Sequence, residues 1–71
     1  MYKEFTFFNE KYIININDIS YINMYEIDDC FYLDIYLSGL PELKSIELSC
    51  DSIEEIVGIY SLIKNWLIEN K

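Results

Sequence analysis

Apolar and polar positions alternate along most of the first fifty residues and then change period. Runs rich in Phe, Tyr and Ile at about residues 3–8, 11–16, 20–27 and 30–38 have the spacing of half-buried strands, and a fifth run follows at about 43–49. The first four are separated by Asn9-Glu10, Asn17-Asp18 and Asp28-Asp29, pairs that tolerate turn geometry. Gly39 and Pro41 mark one more turn, Ser38-Gly39-Leu40-Pro41-Glu42. From Ser52 the spacing is helical, and Ile53, Ile56, Tyr60, Ile63 and Leu67 form one stripe that runs to about Glu69. Ser52-Ile53-Glu54-Glu55 reads as a capping box, with the Ser52 hydroxyl accepting from the Glu55 amide and the Glu55 side chain reaching back.

Strand neighbours must agree on which side is apolar, so the register can be tested on paper. A two-residue loop at Asp28-Asp29 sets Met24 opposite Leu33 and Ile22 opposite Ile35 on one side. The other side then pairs Tyr25 with Tyr32, Asn23 with Asp34 and Tyr21 with Tyr36. A four-residue loop at 39–42 brings Ile46 beside Ile35 and Leu48 beside Leu33, with Glu47 beside Asp34 and Ser45 beside Tyr36. In the first hairpin, Phe5 and Phe7 are expected to face Ile14 and Tyr12. The predicted fold is α+β: one domain over residues 1–71, a five-stranded antiparallel β-meander with one C-terminal α-helix packed on its apolar face. The expected core is Phe5, Phe7, Ile14, Ile22, Met24, Leu33, Ile35, Ile46, Leu48, Ile53, Ile56, Tyr60 and Ile63.

The helix is apolar over more than its stripe. Ile59, Leu62 and Trp66 widen it on one flank, and Val57 and Ile68 on the other, to an arc of about 240° where a one-sided surface helix needs roughly 100°. Two readings stay open for Ile59, Leu62 and Trp66: an oligomer interface, most simply an isologous homodimer, or part of a core wrapped by a curved sheet. A domain this short buries only about 60–65% of its unfolded surface, which makes a second copy or a partner a live question.

Composition narrows the chemistry. The chain has 71 residues and 13 Asp+Glu against 5 Lys+Arg, all of them Lys, for a net charge of −8. Histidine is absent, which excludes Ser-His and Cys-His nucleophilic pairs, and there is no Gly-rich phosphate loop. Asp34 beside Glu47 is the one carboxylate pair worth weighing for acid–base work. A domain of five strands and one helix leaves little room to enclose a substrate, so the pair reads as surface acids and the protein as no enzyme. Two isolated cysteines, Cys30 and Cys50, fall short of the four ligands of a zinc site. By the register Cys30 lies on the outer side, opposite residue 51, while Cys50 points to the other face, so both are read as packing residues. Glu26, Asp28 and Asp29 lack a calcium-loop spacing. No metal and no cofactor are expected. Five scattered Lys at net −8 give no basic face, which argues against direct nucleic-acid binding. Met1 to Phe8 has neither the basic start nor the apolar run of a signal peptide, and no membrane span is visible, so a cytoplasmic protein is expected. The richness in Ile, Asn, Lys, Tyr and Phe, all with AT-rich codons, fits a low-GC bacterium or one of its phages.

The most specific surface feature is the outer side of the central strands: Tyr21, Asn23, Tyr25, Tyr32, Asp34 and Tyr36, with Glu47 beside them. Tyrosine joins apolar area to a hydroxyl at small entropic cost and concentrates at interfaces. Four on one side read as a partner-binding face; the alternative is that the rings only cover one another as cross-strand pairs. An acidic protein steers toward basic partners and can compete with nucleic acid for a basic cleft. The leading expectation is a non-enzymatic antagonist of a basic, nucleic-acid-handling protein, the class of phage counter-defence proteins such as anti-CRISPR inhibitors and of bacterial immunity proteins.

The stretch Ile14-Asn15-Ile16-Asn17-Asp18-Ile19-Ser20-Tyr21-Ile22, with the later Ser52-Ile53-Glu54-Glu55-Ile56, resembles the small flagellar proteins of the FlbD family. That resemblance implies a β-meander with a terminal helix, and the alternative function it brings is a structural or assembly accessory. Asp18-Ile19-Ser20-Tyr21-Ile22 is also similar to the opening strands of LytTR domains, over about a quarter of the chain, and implies no residue role here.

Overall fold

A computed structural model describes residues 1–38 and 44–69. Five antiparallel strands, β1 (Tyr2–Phe7), β2 (Glu10–Asn15), β3 (Ile19–Ile27), β4 (Cys30–Leu37) and β5 (Lys44–Cys50), precede a single helix, α1 (Ile53–Glu69). The fold is α+β, as the change of period predicts. Its strands form two sheets, a β1–β2 hairpin and a three-stranded β3–β4–β5 sheet, with α1 packed against them. The expected turn at Ser38-Gly39-Leu40-Pro41-Glu42 lies almost wholly outside the described residues.

At the split, a short turn is tied to the chain start. Ile16–Asp18 form a 3-10 turn in which the Asn15 side-chain oxygen accepts from the Asn17 amide at 3.1 Å and from the Met1 ammonium at 3.2 Å. The Ile16 amide donates to the Met1 carbonyl at 2.9 Å, so the chain start and the end of β2 are tied together. This turn buries Ile16, which the strand alternation did not place in the core.

The first hairpin corrects the expected register. Phe5 faces Tyr12, Phe7 faces Glu10, and Lys3 rather than Phe5 faces Ile14, because the loop is Phe8-Asn9 and not Asn9-Glu10. A shift of two residues keeps every side chain on its own face, so Phe5, Phe7 and Ile14 are still buried. It also lets Phe5 stack on Tyr12 at 5.0 Å. Both loop residues have positive φ, 48° at Phe8 and 69° at Asn9, the backbone of a type I′ turn. Asn tolerates that region, whereas a bulky Phe does so rarely and under strain. Phe8→Asn with Asn9→Gly is therefore expected to stabilise the protein by about 1–2 kcal/mol, read as a raised midpoint in thermal unfolding.

The second sheet has the register the sequence predicts. Ile22 faces Ile35, Met24 faces Leu33, Ile46 faces Ile35 and Leu48 faces Leu33. Their inner face meets α1 in one core of Phe5, Phe7, Ile14, Leu33, Ile35, Leu48, Ile56 and Ile63, with Ile22, Ile46 and Tyr60 packed against it. Two expected core residues are outside it. Met24 is 41% exposed because β3 is an edge strand and α1 lies chiefly over β4 and β5; Ile53 is 46% exposed because it opens the helix. The helix start also differs in detail from the expected capping box. The Ser52 hydroxyl donates to Glu54 Oε2 at 3.0 Å. The Glu54 carboxyl is held below its ordinary pKa, first by its own backbone amide and then by Ser52.

Candidate protein-binding face

The outer side of the second sheet is a three-by-three array fixed by strand register. β3 contributes Tyr21, Asn23 and Tyr25; β4 contributes Tyr36, Asp34 and Tyr32 directly opposite them; β5 contributes Ser45, Glu47 and Ser49 opposite those. All seven residues predicted for a partner face therefore share one surface. Each end row holds a stacked tyrosine pair: Tyr21 on Tyr36 with ring centroids 4.3 Å apart, and Tyr25 on Tyr32 at 5.0 Å. One face of each ring is covered by its pair. On the β5 side the row ends in a small serine.

Asp34 sits at the centre of this array and departs from the expectation of a solvated surface acid. It is only 7% exposed although it points away from the helix. Its strand neighbours Tyr32 and Tyr36 lie two residues away on the same face, and Tyr21 and Tyr25 are diagonal to it at roughly 7–8 Å, within reach of long rings. The aromatic rows therefore bury a carboxylate on what would otherwise be the wet side of the sheet. Oδ2 accepts from the Tyr36 hydroxyl at 3.4 Å, while Oδ1 is buried with no hydrogen-bond partner. Glu47, its neighbour on β5, is exposed. The ion pair among the described residues, Lys11 with Glu4 at 3.9 Å, lies on the other sheet.

The phenols register this field. Tyr25 and Tyr36 are raised above the ordinary phenolic pKa, in each case first by partial burial and next by the negative charge of Asp34. Tyr32 is raised first by its contact with Cys30, and Tyr12 by its hydroxyl bond to Glu10 at 3.0 Å. Raised folded-state values mean that the native protein holds these protons more tightly than the unfolded chain. The stabilisation is complete below the ordinary phenolic value of 10.0 and is lost as pH climbs through the raised values. Titration followed by phenolate absorbance is expected to show these rings ionising above the ordinary phenolic value of 10.0. In Asp34→Asn, Tyr25 and Tyr36 should move down while Tyr12 stays put.

The second predicted surface is divided by the structure. Ile59 and Trp66 are half-buried against the core, with Trp66 packed 6.4 Å from Phe5 in a tilted arrangement, and Leu62 stays 37% exposed. The exposed apolar flank is mainly the opposite one, with Ile53, Val57 and Ile68. The cysteines are free, and they lie on opposite faces as the register predicts. The Cys30 thiol donates to the Cys50 carbonyl at 3.5 Å, and Cys50 packs on the core. Among the described residues, no group of three or more Cys, Asp or Glu is placed to hold a metal ion, and no helix is long and apolar enough to cross a membrane. Two open clefts measure about 200 and 210 Å³, and the second reaches the outer array at Glu47 and Ser49. One is lined by Met1, Lys3, Ile16, Trp66 and Glu69; the other lies between the hairpin tip and β5 and is bordered by Glu10 and Glu47.

Ser45 and Ser49 were absent from the predicted set, although their pairing with Tyr36 and Tyr32 was legible. The chain matches no family model, and neither a curated protein nor a solved structure matches it.

Proposed function

We propose that this chain is a non-enzymatic binding module, a small acidic antagonist acting in the cytoplasm that occupies the basic, nucleic-acid-handling surface of another protein. The observation that carries the reading is Asp34: a carboxylate buried by two stacked tyrosine pairs, with one oxygen unpaired, beside an exposed Glu47. A buried acceptor without a donor is costly to fold. Such a cost is expected where a surface is shaped for a partner and not for stability alone. The net charge of −8 supplies long-range attraction to a basic surface. The clefts are open and smaller than the roughly 300 Å³ at which small-molecule sites begin, which favours binding over turnover. Phage counter-defence proteins, including inhibitors of CRISPR effectors, and bacterial immunity proteins work in this way.

The test is capture of partners from a low-GC bacterial lysate, followed by competition. A basic nucleic-acid-binding protein should be retained by the wild type, released by added nucleic acid, and lost with Tyr25→Ala/Tyr36→Ala. Steering by charge is screened over a Debye length of about 10 Å at 0.1 M salt. Affinity should therefore fall at least about tenfold between about 0.05 and 0.5 M salt, mostly through slower association. A partner held equally at both salt concentrations, and indifferent to nucleic acid, would contradict the reading. The exposed helix residues Val57, Leu62 and Ile68 favour a second one, an assembly accessory of the FlbD-like kind that docks by its helix.

A further inference from the structure

We infer that the outer sheet face recognises one arginine side chain of the partner, seated between the two tyrosine rows with its guanidinium on Asp34 and Glu47; this rests on the binding-face reading above. Three observations converge on that group. Asp34 Oδ1 is buried with no donor in good hydrogen-bond geometry, and the nearby Tyr25 and Tyr36 hydroxyls interact with the carboxylate without satisfying that atom, so a ligand could supply a stronger donor there. Glu47 is the direct cross-strand neighbour of Asp34, and two like charges so placed repel unless a cation joins them. The flanking rows are aromatic and end in Ser45 and Ser49, small residues directly opposite Tyr36 and Tyr32.

The class of cation follows from those walls. A guanidinium is planar, weakly hydrated and presents a fork of donors, so one group can lie between the rows and serve two carboxylates at once. An ammonium is a strongly hydrated point charge, and entering a site walled by rings would strip its water for less return. Tyr21 is 52% exposed, the most open ring of the four, and its displacement would uncover Asp34 without disturbing the inner core. Seating the cation satisfies Oδ1 and relieves the carboxylate repulsion together, so the attraction is concentrated at one position of an otherwise acidic surface.

The experiment titrates isotopically labelled protein with two blocked peptides, Gly-Arg-Gly and Gly-Lys-Gly, and follows backbone, tyrosine and carboxyl resonances by NMR. The expected result is saturable movement of the Asp34 carboxyl carbon and of Tyr32 and Tyr36 by the arginine peptide. Its affinity should exceed that of the lysine peptide by about tenfold and fall by at least about tenfold in Asp34→Asn. The wild-type carboxyl signal reads the contact directly, so the outcome does not depend on how well the variant folds. If both peptides bind this face alike, or Asp34→Asn binds as the wild type does, the arginine seat is overturned while the basic-partner reading stands. If neither peptide moves the face and both move the acidic residues evenly, the binding-face reading falls as well.

Discussion

Truncating Leu33 to alanine is expected to lower the unfolding free energy by about 3–4 kcal/mol, the cost of a lost buried side chain plus the cavity left behind. Leu33 is fully buried on the central strand between Met24 and Leu48, and its inner face meets the helix, so the site cannot collapse inward easily. A domain of 71 residues has only about 4–10 kcal/mol in total. The variant should therefore unfold at a much lower urea concentration with an unchanged slope. A loss under about 1 kcal/mol would show that this part of the core is loosely packed.

The opposite sign is expected on the other face of the same strand. Asp34→Val should raise stability by about 1–3 kcal/mol, because it removes a buried acceptor that has no donor and places a β-branched residue on a central strand. The same substitution should remove partner binding. A variant that is more stable and inactive is the signature of a residue kept for function at the expense of the fold. If Asp34→Val instead destabilises, the carboxylate belongs to a satisfied polar network, and its burial is a matter of structure. Urea unfolding of the two variants side by side separates these cases, since neighbouring residues 33 and 34 differ in which face they serve.

The sequence reading succeeded where one local rule propagated through the register. Asp28 and Asp29, both at positive φ, close a two-residue turn, and once that turn is fixed the period of two assigns Tyr21 to Ile27 and their β4 partners to a face, up to the register shift between Ile19 and Tyr21. The seven predicted residues of the outer face followed from that turn and the Ile35–Ile46 match. Other features depend on contacts far apart in the chain. At the break between the sheets Asn15 holds the Met1 ammonium and the Asn17 amide, which no periodicity encodes. The Phe8-Asn9 turn puts a bulky ring at positive φ, against local preference, and in doing so brings Tyr12 opposite Phe5. Met24 has the alternation of a core residue but lies on an edge that the helix does not cover. Asp34 was placed on the correct face; its burial depends on how far four rings reach across the sheet. Its position two residues from Tyr32 and Tyr36 on the central strand was the available signal.

The claim on which the account turns is that the partner docks on the tyrosine face of the second sheet. Hydrogen exchange of the chain, free and bound to the basic protein captured by it, reads this surface directly. Added protection is expected along the exposed edges of β3 and β5, with the α1 amides at Val57, Leu62 and Ile68 unchanged. Protection confined to the helix, with β3 and β5 exchanging as in the free protein, would contradict it.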